Sequence, residues 1–288
     1  MPLFKTFFLL LSTLFFVFVS TNENIVIGQT ISTMSYNIRY NNPDDGNNWW
    51  NLRKQELIEL IQYYHPDILG IQEGLHDQVE YIDQHMEHYS YIGVGRDDGQ
   101  TQGEYTAIYY DSTKFDIQYQ NTFWLSKTPE KVSVGWDASM ERICTYGHFI
   151  HKSTQTEYHI FNAHFDHIGP KARENSAKLI VQEISRLKLA AKNIILMGDL
   201  NCLPNSQPIL EFKKELDDAS ELADDDIYGP FGTFSKFDPS FIPDRRIDYI
   251  FSKNLAVLKY RHVDDRRANN LWPSDHLPVM ASFDLLTK

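Results

Sequence analysis

The amino-acid sequence predicts an α/β fold built as one large domain, and three observations carry that expectation. A strand, helix, strand order occurs twice, over residues 31–71 and again over 157–199, which implies two similar layers. Between these units, residues 89–164 form a series of β-branched and aromatic-rich runs separated by turn residues, the pattern of an antiparallel meander. Finally, 288 residues that are 42% hydrophobic and 14% aromatic supply enough apolar surface for one sizeable core. No repeat of fixed sequence period is visible.

The chain opens with a short segment bearing one positive charge, Lys5. An apolar run over residues 7–19 follows, interrupted only by Ser12 and Thr13, and then a polar stretch at 20–24. That is the pattern of a secretory signal peptide and is too short for a membrane span. Residues 1–24 are therefore expected as a leader, with Phe18 and Val19 leaving the cleavage point weakly marked, and 25–288 as a single domain. The expected location is secreted or periplasmic. An uncleaved N-terminal anchor is the alternative; no later segment is long enough to span a bilayer. Two cysteines, Cys144 and Cys202, are too few for a disulfide framework; a single bridge is one reading and buried free thiols the favoured one.

Each element then follows from local pattern. Residues 31–40 read as a core strand, and a polar loop with Pro43 and Gly46 leads into a helix at 50–64. Its apolar stripe is Leu57, Ile58, Leu60, Ile61 and Tyr64. His65-Pro66-Asp67 ends that helix, 68–71 form a second short core strand, and a helix is expected over 76–86. Strands are predicted at 89–94, 105–110, 115–125, 142–151 and 157–164, with loops at 96–103 and 126–140; the second loop carries Trp136 and Asp137. A long amphipathic helix at 171–189, a shorter one at 205–216, a solvated acidic loop at 217–226, and closing strands at 247–251, 256–263 and 277–283 complete the chain.

The stretch Asn193-Ile-Ile-Leu-Met-Gly-Asp-Leu-Asn201 organises the functional reading. Ile194 to Met197 run without alternation, as in a strand buried on both faces, and the run stops at Gly198. Asp199 and Asn201 lie two apart, on one side of an extended backbone, where a carboxylate and an amide can orient water and hold a phosphate oxygen or a cation. An Asx turn closing the strand is the plainer reading. Asn37, Glu73, His164, Asp248, Asp275 and His276 likewise fall at or near predicted strand ends. Oxygen and imidazole donors without cysteine suit Mg²⁺, Mn²⁺ or Ca²⁺ rather than structural zinc.

Six motifs in chain order carry a resemblance. They are Ser-Tyr-Asn37-Ile-Arg, Ile-Gln-Glu73, Asn-Ala-His164-Phe, Gly-Asp199-Leu-Asn201, Arg-Ile-Asp248-Tyr-Ile and Ser274-Asp275-His276-Leu-Pro-Val. Together, over residues 31–285, the set resembles the endonuclease/exonuclease/phosphatase superfamily in its deoxyribonuclease I-like branch, and a secreted bacterial-type member of it. The resemblance implies a four-layered α/β sandwich, with two packed, mainly antiparallel sheets flanked by helices. It implies Glu73 as principal metal ligand with Asn37 beside it on metal or phosphate, and Asp275 as a further ligand or water-orienting group. Asp248 and His276 are implied as a carboxylate–imidazole pair, His164 as a second imidazole held by Glu104, and Arg142 as a phosphate contact, while Asp199 and Asn201 align water and phosphate. Asp166 and His167 depart from the branch pattern, and Asp166 is a candidate extra ligand or substrate contact. Arg39 stands where some base-excision members carry an aspartate, which turns the resemblance away from DNA repair.

The activity implied is an exported phosphoester hydrolase that uses a divalent ion, Mg²⁺ or else Mn²⁺ or Ca²⁺, and a histidine-activated water. A phosphodiesterase or nuclease-like enzyme is the first expectation. A phosphomonoesterase on a sugar, inositol or nucleotide is the alternative, and a non-catalytic phosphate-binding domain comes third. With 27 basic against 39 acidic residues, a formal net charge of −12, the chain has no electrostatic footprint for long nucleic acid or an anionic bilayer. Small phosphoesters fit that balance, and a monomer is expected.

Overall fold

The computed structural model describes residues 30–223 and 227–286; the leader expected at 1–24 lies outside them. In chain order the strands are β1 Ile31–Asn37, β2 Ile68–Gln72, β3 Tyr89–Ile92, β4 Ile108–Asp111, β5 Phe115–Trp124, β6 Ile143–His151 and β7 Glu157–His164. After these come β8 Asn193–Asp199, β9 Asp217–Asp218, β10 Ile227–Tyr228, β11 Asp248–Lys253, β12 Leu255–His262 and β13 Val279–Leu285. The helices are α1 Trp50–Tyr64, α2 His76–His85, α3 Pro170–Arg186, α4 Gln207–Phe212 and α5 Ala219–Leu222.

Two mixed sheets result, with strand orders β10-β12-β13-β1-β2-β4-β3 and β5-β6-β7-β8-β11-β9. The two strand, helix, strand units supply parallel pairs, β1 with β2 and β7 with β8, and most other neighbours are antiparallel. Three apolar clusters separate four layers. One packs α1 and α2 on the first sheet, one packs α3 and α4 on the second, and the third lies between the sheets. β8 shows why its sequence lacks alternation: Ile194 and Leu196 face the helices while Ile195 and Met197 face the other sheet, so both sides of the strand are dry. The sheets approach closely at Gly70, where a Cβ would stand 2.7 Å from the Met197 sulfur.

Three expectations change. The run at 89–164 is not one meander, because β3 and β4 join the first sheet through β2 whereas β5, β6 and β7 form the edge of the second. Local pattern marks each strand but says nothing of which sheet receives it. The helix expected at 205–216 covers only Gln207–Phe212. The acidic run is not wholly solvated: Asp218 is buried, caps α5 through Ser220 N–H, and takes both Nη groups of buried Arg246 at 2.9 and 2.7 Å. Cys144 and Cys202 are buried free thiols, which closes the disulfide alternative.

Candidate active site

The site lies where the interface between the two sheets opens at the ends of their strands. Pairing register alone places three of its residues in a row: His164 at the end of β7 pairs with Asp199 at the end of β8, which pairs with Asp248 at the start of β11. All three share strand parity with residues of the inter-sheet core, so all three side chains project into the gap between the sheets. Asn37 ends β1 on the same inner parity, and Glu73 follows β2. Between Met197 and Asp199 the chain passes through Gly198 with φ of +147°, where a Cβ would lie 1.9 Å from the Ala163 carbonyl oxygen; no other residue fits.

Asp199 is the hub. Its Oδ2 accepts from Asn37 Nδ2 at 3.0 Å and stands 3.5 Å from His164 Nε2 and 3.7 Å from His276 Nε2. Its Oδ1 accepts from Asn201 N–H at 2.9 Å, so the plain Asx turn and the functional cluster are both present. Asn201, in a left-handed conformation at φ of +48°, directs its amide toward His164 Nε2 at 3.4 Å and to the Phe165 carbonyl. His276 Nδ1 meets Asp248 Oδ2 at 2.9 Å, and Thr233 Oγ1 donates to that same oxygen at 2.5 Å, which fixes the ring and leaves Nε2 aimed at the cavity.

The electrostatics separate the two imidazoles. Burial opposes charge on His276, yet Asp248 and Asp199 beside it raise its basicity well above the ordinary imidazole range. His164 is pushed well below that range by burial, with Arg142 and Arg96 adding to the effect. Burial, reinforced by Asp248, raises the Asp199 carboxyl to about 7. Glu104 is likewise raised to about 7 by burial and by Glu73, and burial lifts Asp275. Several buried carboxyls thus disfavour their own charge, which is a donor set that a hard cation would relieve.

One ligand atom each from Glu73, His164 and Asp199 lies within 4.8 Å of the others, as do single atoms of Asp199, Asp248 and His276. The second group is a hydrogen-bonded carboxylate–imidazole pair, and in the first His164 Nε2 faces Asp199 Oδ2 at 3.5 Å, which leaves Glu73, with Asp275 on the same cavity wall, as the carboxylates best placed for a cation. Asn37 lies among these groups: its oxygen accepts from Arg39 N–H at 3.0 Å, and its nitrogen donates to Glu73 at 2.9 Å and to Asp199 at 3.0 Å. Those bonds orient the two carboxylates. Glu104 stands 3.8 Å from His164 Nδ1, too far to hold it by a hydrogen bond, because Arg96 takes both its oxygens at 2.6 and 3.0 Å.

Arg142 lines the cavity with part of its guanidinium uncommitted. It is buried, its Nε and Nη1 have no hydrogen-bond partner, and its Nη2 meets His167 Nδ1 at 2.9 Å. Asp166 is not an extra ligand. It accepts from Ser139, Ile168 and Gly169, which overcome burial and hold its carboxyl down to about 2, and it lies 3.5 Å from Arg142 Nε. It closes the loop that carries His167. Arg39, Glu73, Arg96, Glu104, Arg142, His164, Asp199, Asn201, Arg245, Asp275 and His276 all face one cavity of about 440 Å³. Sequence reasoning misses Arg96, Arg245 and Thr233, since an arginine or threonine in a loop carries no signal until the fold brings it to the site. It misses Arg53 too: from α1 this residue donates to the carbonyls of Ile38, Arg39, Asn48 and Pro273, and so ties the loop after Asn37 to the one before Asp275.

The family model described as the Endonuclease/Exonuclease/phosphatase family matches residues 34–276. The chain belongs to that family. Members of the endonuclease/exonuclease/phosphatase family are phosphoester hydrolases, generally dependent on a divalent metal, and this chain is an enzyme of that class with acidic and imidazole groups that could bind one. It is 38% identical to an endonuclease/exonuclease/phosphatase family protein from Bacteroides thetaiotaomicron, over 90% of this chain and 99% of that one, with a TM-score of 0.86. It is also 38% identical to a mannosyl-6-phosphatase of the same organism, over 88% and 99% of the two chains, with a TM-score of 0.84. An uncharacterized protein of Acanthamoeba polyphaga mimivirus is 27% identical over 82% of this chain and 92% of that protein. Among the described residues no helix is long and apolar enough to cross a membrane.

Proposed function

We propose that this family member is an exported, Mg²⁺-dependent phosphomonoesterase that removes the phosphate from the primary carbon of a hexose, as from mannose 6-phosphate. The observation that carries this reading is the buried Arg142, whose Nη1 has no hydrogen-bond partner and whose Nε has only the ion pair with Asp166, on the wall of a cavity of about 440 Å³ that Glu73, Asp199 and His276 also line. That volume is on the scale of a small-molecule site rather than a nucleic-acid groove. The mannosyl-6-phosphatase at 38% identity supports the same choice, which reverses the order of diester and monoester expected from the motifs alone. The leader pattern at 1–24 supports export.

In this mechanism Arg142 binds the nonbridging oxygens and offsets their charge as the transition state forms. Asn201 and Asp199 align the attacking water against phosphorus. His164 and His276 both direct Nε2 toward Asp199 Oδ2, and this pair moves protons between the water and the leaving sugar oxygen; Asp248 fixes the tautomer of His276. Glu73, with Asp275, would hold the cation, whose chemistry is to neutralise phosphate charge and stabilise the leaving oxygen. The test is turnover of mannose 6-phosphate, p-nitrophenyl phosphate and bis-(p-nitrophenyl) phosphate with Mg²⁺, Mn²⁺ or a chelator. Monoester hydrolysis lost on chelation is the expected result. Diester hydrolysis without monoester hydrolysis overturns the reading.

A further inference from the structure

Beside the catalytic cavity lies a second one of about 440 Å³, formed between the start of α3 and the segment from Asn201 to Pro208. The two cavities share Asn201 and Arg245 as common walls. Asn201 is fixed by its bonds to Asp199 and Phe165. Arg245 is fixed at its backbone, where its carbonyl accepts from Thr233 N–H at 2.9 Å, next to the hydroxyl that holds Asp248. Its side chain is exposed and has no hydrogen-bond or ion-pair partner among the described residues. A free guanidinium on a rigid base therefore stands on the ridge between the two cavities.

The chemistry of the second cavity differs from that of the first. Gln207 is exposed with no side-chain partner among the described residues, Glu174 presents a carboxylate whose Oε1 accepts from Lys178 at 2.6 Å, and Arg173 is pinned by Nη1 to the Asp166 carbonyl at 2.9 Å. Beneath them Leu203, 49% exposed, offers an apolar floor. Amide, carboxylate and guanidinium groups over a small apolar face suit a ring that carries hydroxyls on its rim and C–H bonds on its faces. No aromatic side chain lines this cavity, so a nucleobase would find no stacking surface there. Two arginines against one carboxylate leave a formal charge of +1, and with Arg173 bonded to the Asp166 carbonyl, Arg245 is the guanidinium left for a ligand.

Resting on the phosphomonoesterase reading, we propose that this second cavity is a subsite for the neighbouring sugar residue, so that the preferred substrate is a 6-phosphohexose at the end of an oligosaccharide rather than the free sugar phosphate. Arg245 would bridge the two rings from the ridge, with Gln207 and Glu174 taking hydroxyls of the second.

The experiment compares kcat/KM of the full chain for mannose 6-phosphate with that for the same phosphosugar at the non-reducing end of a di- and a trisaccharide. A dinucleotide bearing a terminal phosphate serves as control. The disaccharide is expected to be preferred over the monosaccharide about tenfold or more, mainly through KM. In Gln207→Ala and Arg245→Ala, both exposed positions, that ratio should fall toward one while circular dichroism melting stays within a few degrees. Equal kcat/KM for mono- and disaccharide in the wild type, a ratio unmoved by both variants, or a preference for the dinucleotide would overturn the subsite and leave the phosphomonoesterase standing. Turnover of no sugar phosphate at all would overturn both.

Discussion

Glu73 shows how much of the chemistry rests on single side chains. It sits at φ of +64°, a left-handed conformation uncommon for glutamate, which directs its carboxylate to Asn37 and to Tyr40 N–H at the cavity wall. Glu73→Gln keeps the shape and an acceptor for Asn37 but removes the charge. Metal-dependent turnover should fall at least about 10²-fold, and the melting temperature should not fall, because loss of that charge relieves repulsion with Glu104. His276→Ala should cost as much. A titration of activity against Mg²⁺ separates the two, with a weaker metal response expected only for Glu73→Gln. His159 makes a different point, far from the chemistry. Burial and His148 lower its basicity from 6.5 to about 4, and its Nδ1 meets Tyr146 Oη at 2.8 Å. The folded chain thus binds fewer protons here than the unfolded chain. The stability this contributes is whole above pH 6.5 and is lost as pH falls from 6.5 to about 4, on the order of 2 kcal/mol once solvent screening is allowed for. Urea unfolding of wild type and His159→Gln across that window checks it: the variant should show the shallower decline.

At the scale of elements, the site depends on loops held by a helix that does not line the cavity. Arg53 is buried in α1 and bonds four carbonyls, at distances of 2.7 to 2.9 Å, on the loops that position Asn37 and Asp275. Arg53→Met fills similar volume yet leaves those carbonyls without donors, so a loss of about 3 kcal/mol is expected in denaturant unfolding. A drop in turnover at saturating Mg²⁺ should accompany it. Sequence periodicity locates α1 at its observed ends, because Leu57, Ile58 and Ile61 mark its buried stripe. It has no means of finding Arg53 on the same buried face, since a charged residue reads as solvent-exposed until the carbonyls that satisfy it are brought near. The same holds for Asp218, which reads as part of a solvated run and is paired with Arg246 in the fold. Strand-end motifs make His164, Asp199, Asp248 and His276 legible, because each sits in a local pattern that ends a core strand or precedes one. Asn37 is legible in place, while the direction its amide points is seen only from its bond with the Arg39 N–H.

At the scale of the whole molecule, the charge balance bears on whether a long polyanion can bind. The formal net charge is −12, and the arginines at the catalytic cavity are partly committed, Arg39 to Asp45 and Arg96 to Glu104. Duplex binding is driven by releasing counterions from many backbone phosphates, which requires a basic surface extending over several phosphate spacings. Here the cavity's four arginines, Arg39, Arg96, Arg142 and Arg245, are matched by four carboxylates, Glu73, Glu104, Asp199 and Asp275, so it offers no such extended basic surface, and a net charge of −12 opposes a polyanion more than a small phosphoester. The Glu73→Gln variant, silent in catalysis, should therefore leave a duplex of about 20 base pairs unshifted in native gels at about 150 mM salt, even with protein at micromolar concentration. Retardation that falls steeply as salt is raised would mean that an extended basic surface forms after all, and the diester reading would regain first place. The absence of retardation together with sugar phosphate turnover would instead tie substrate choice to the balance of charge between pocket and surface, on a fold that elsewhere in the family serves nucleases.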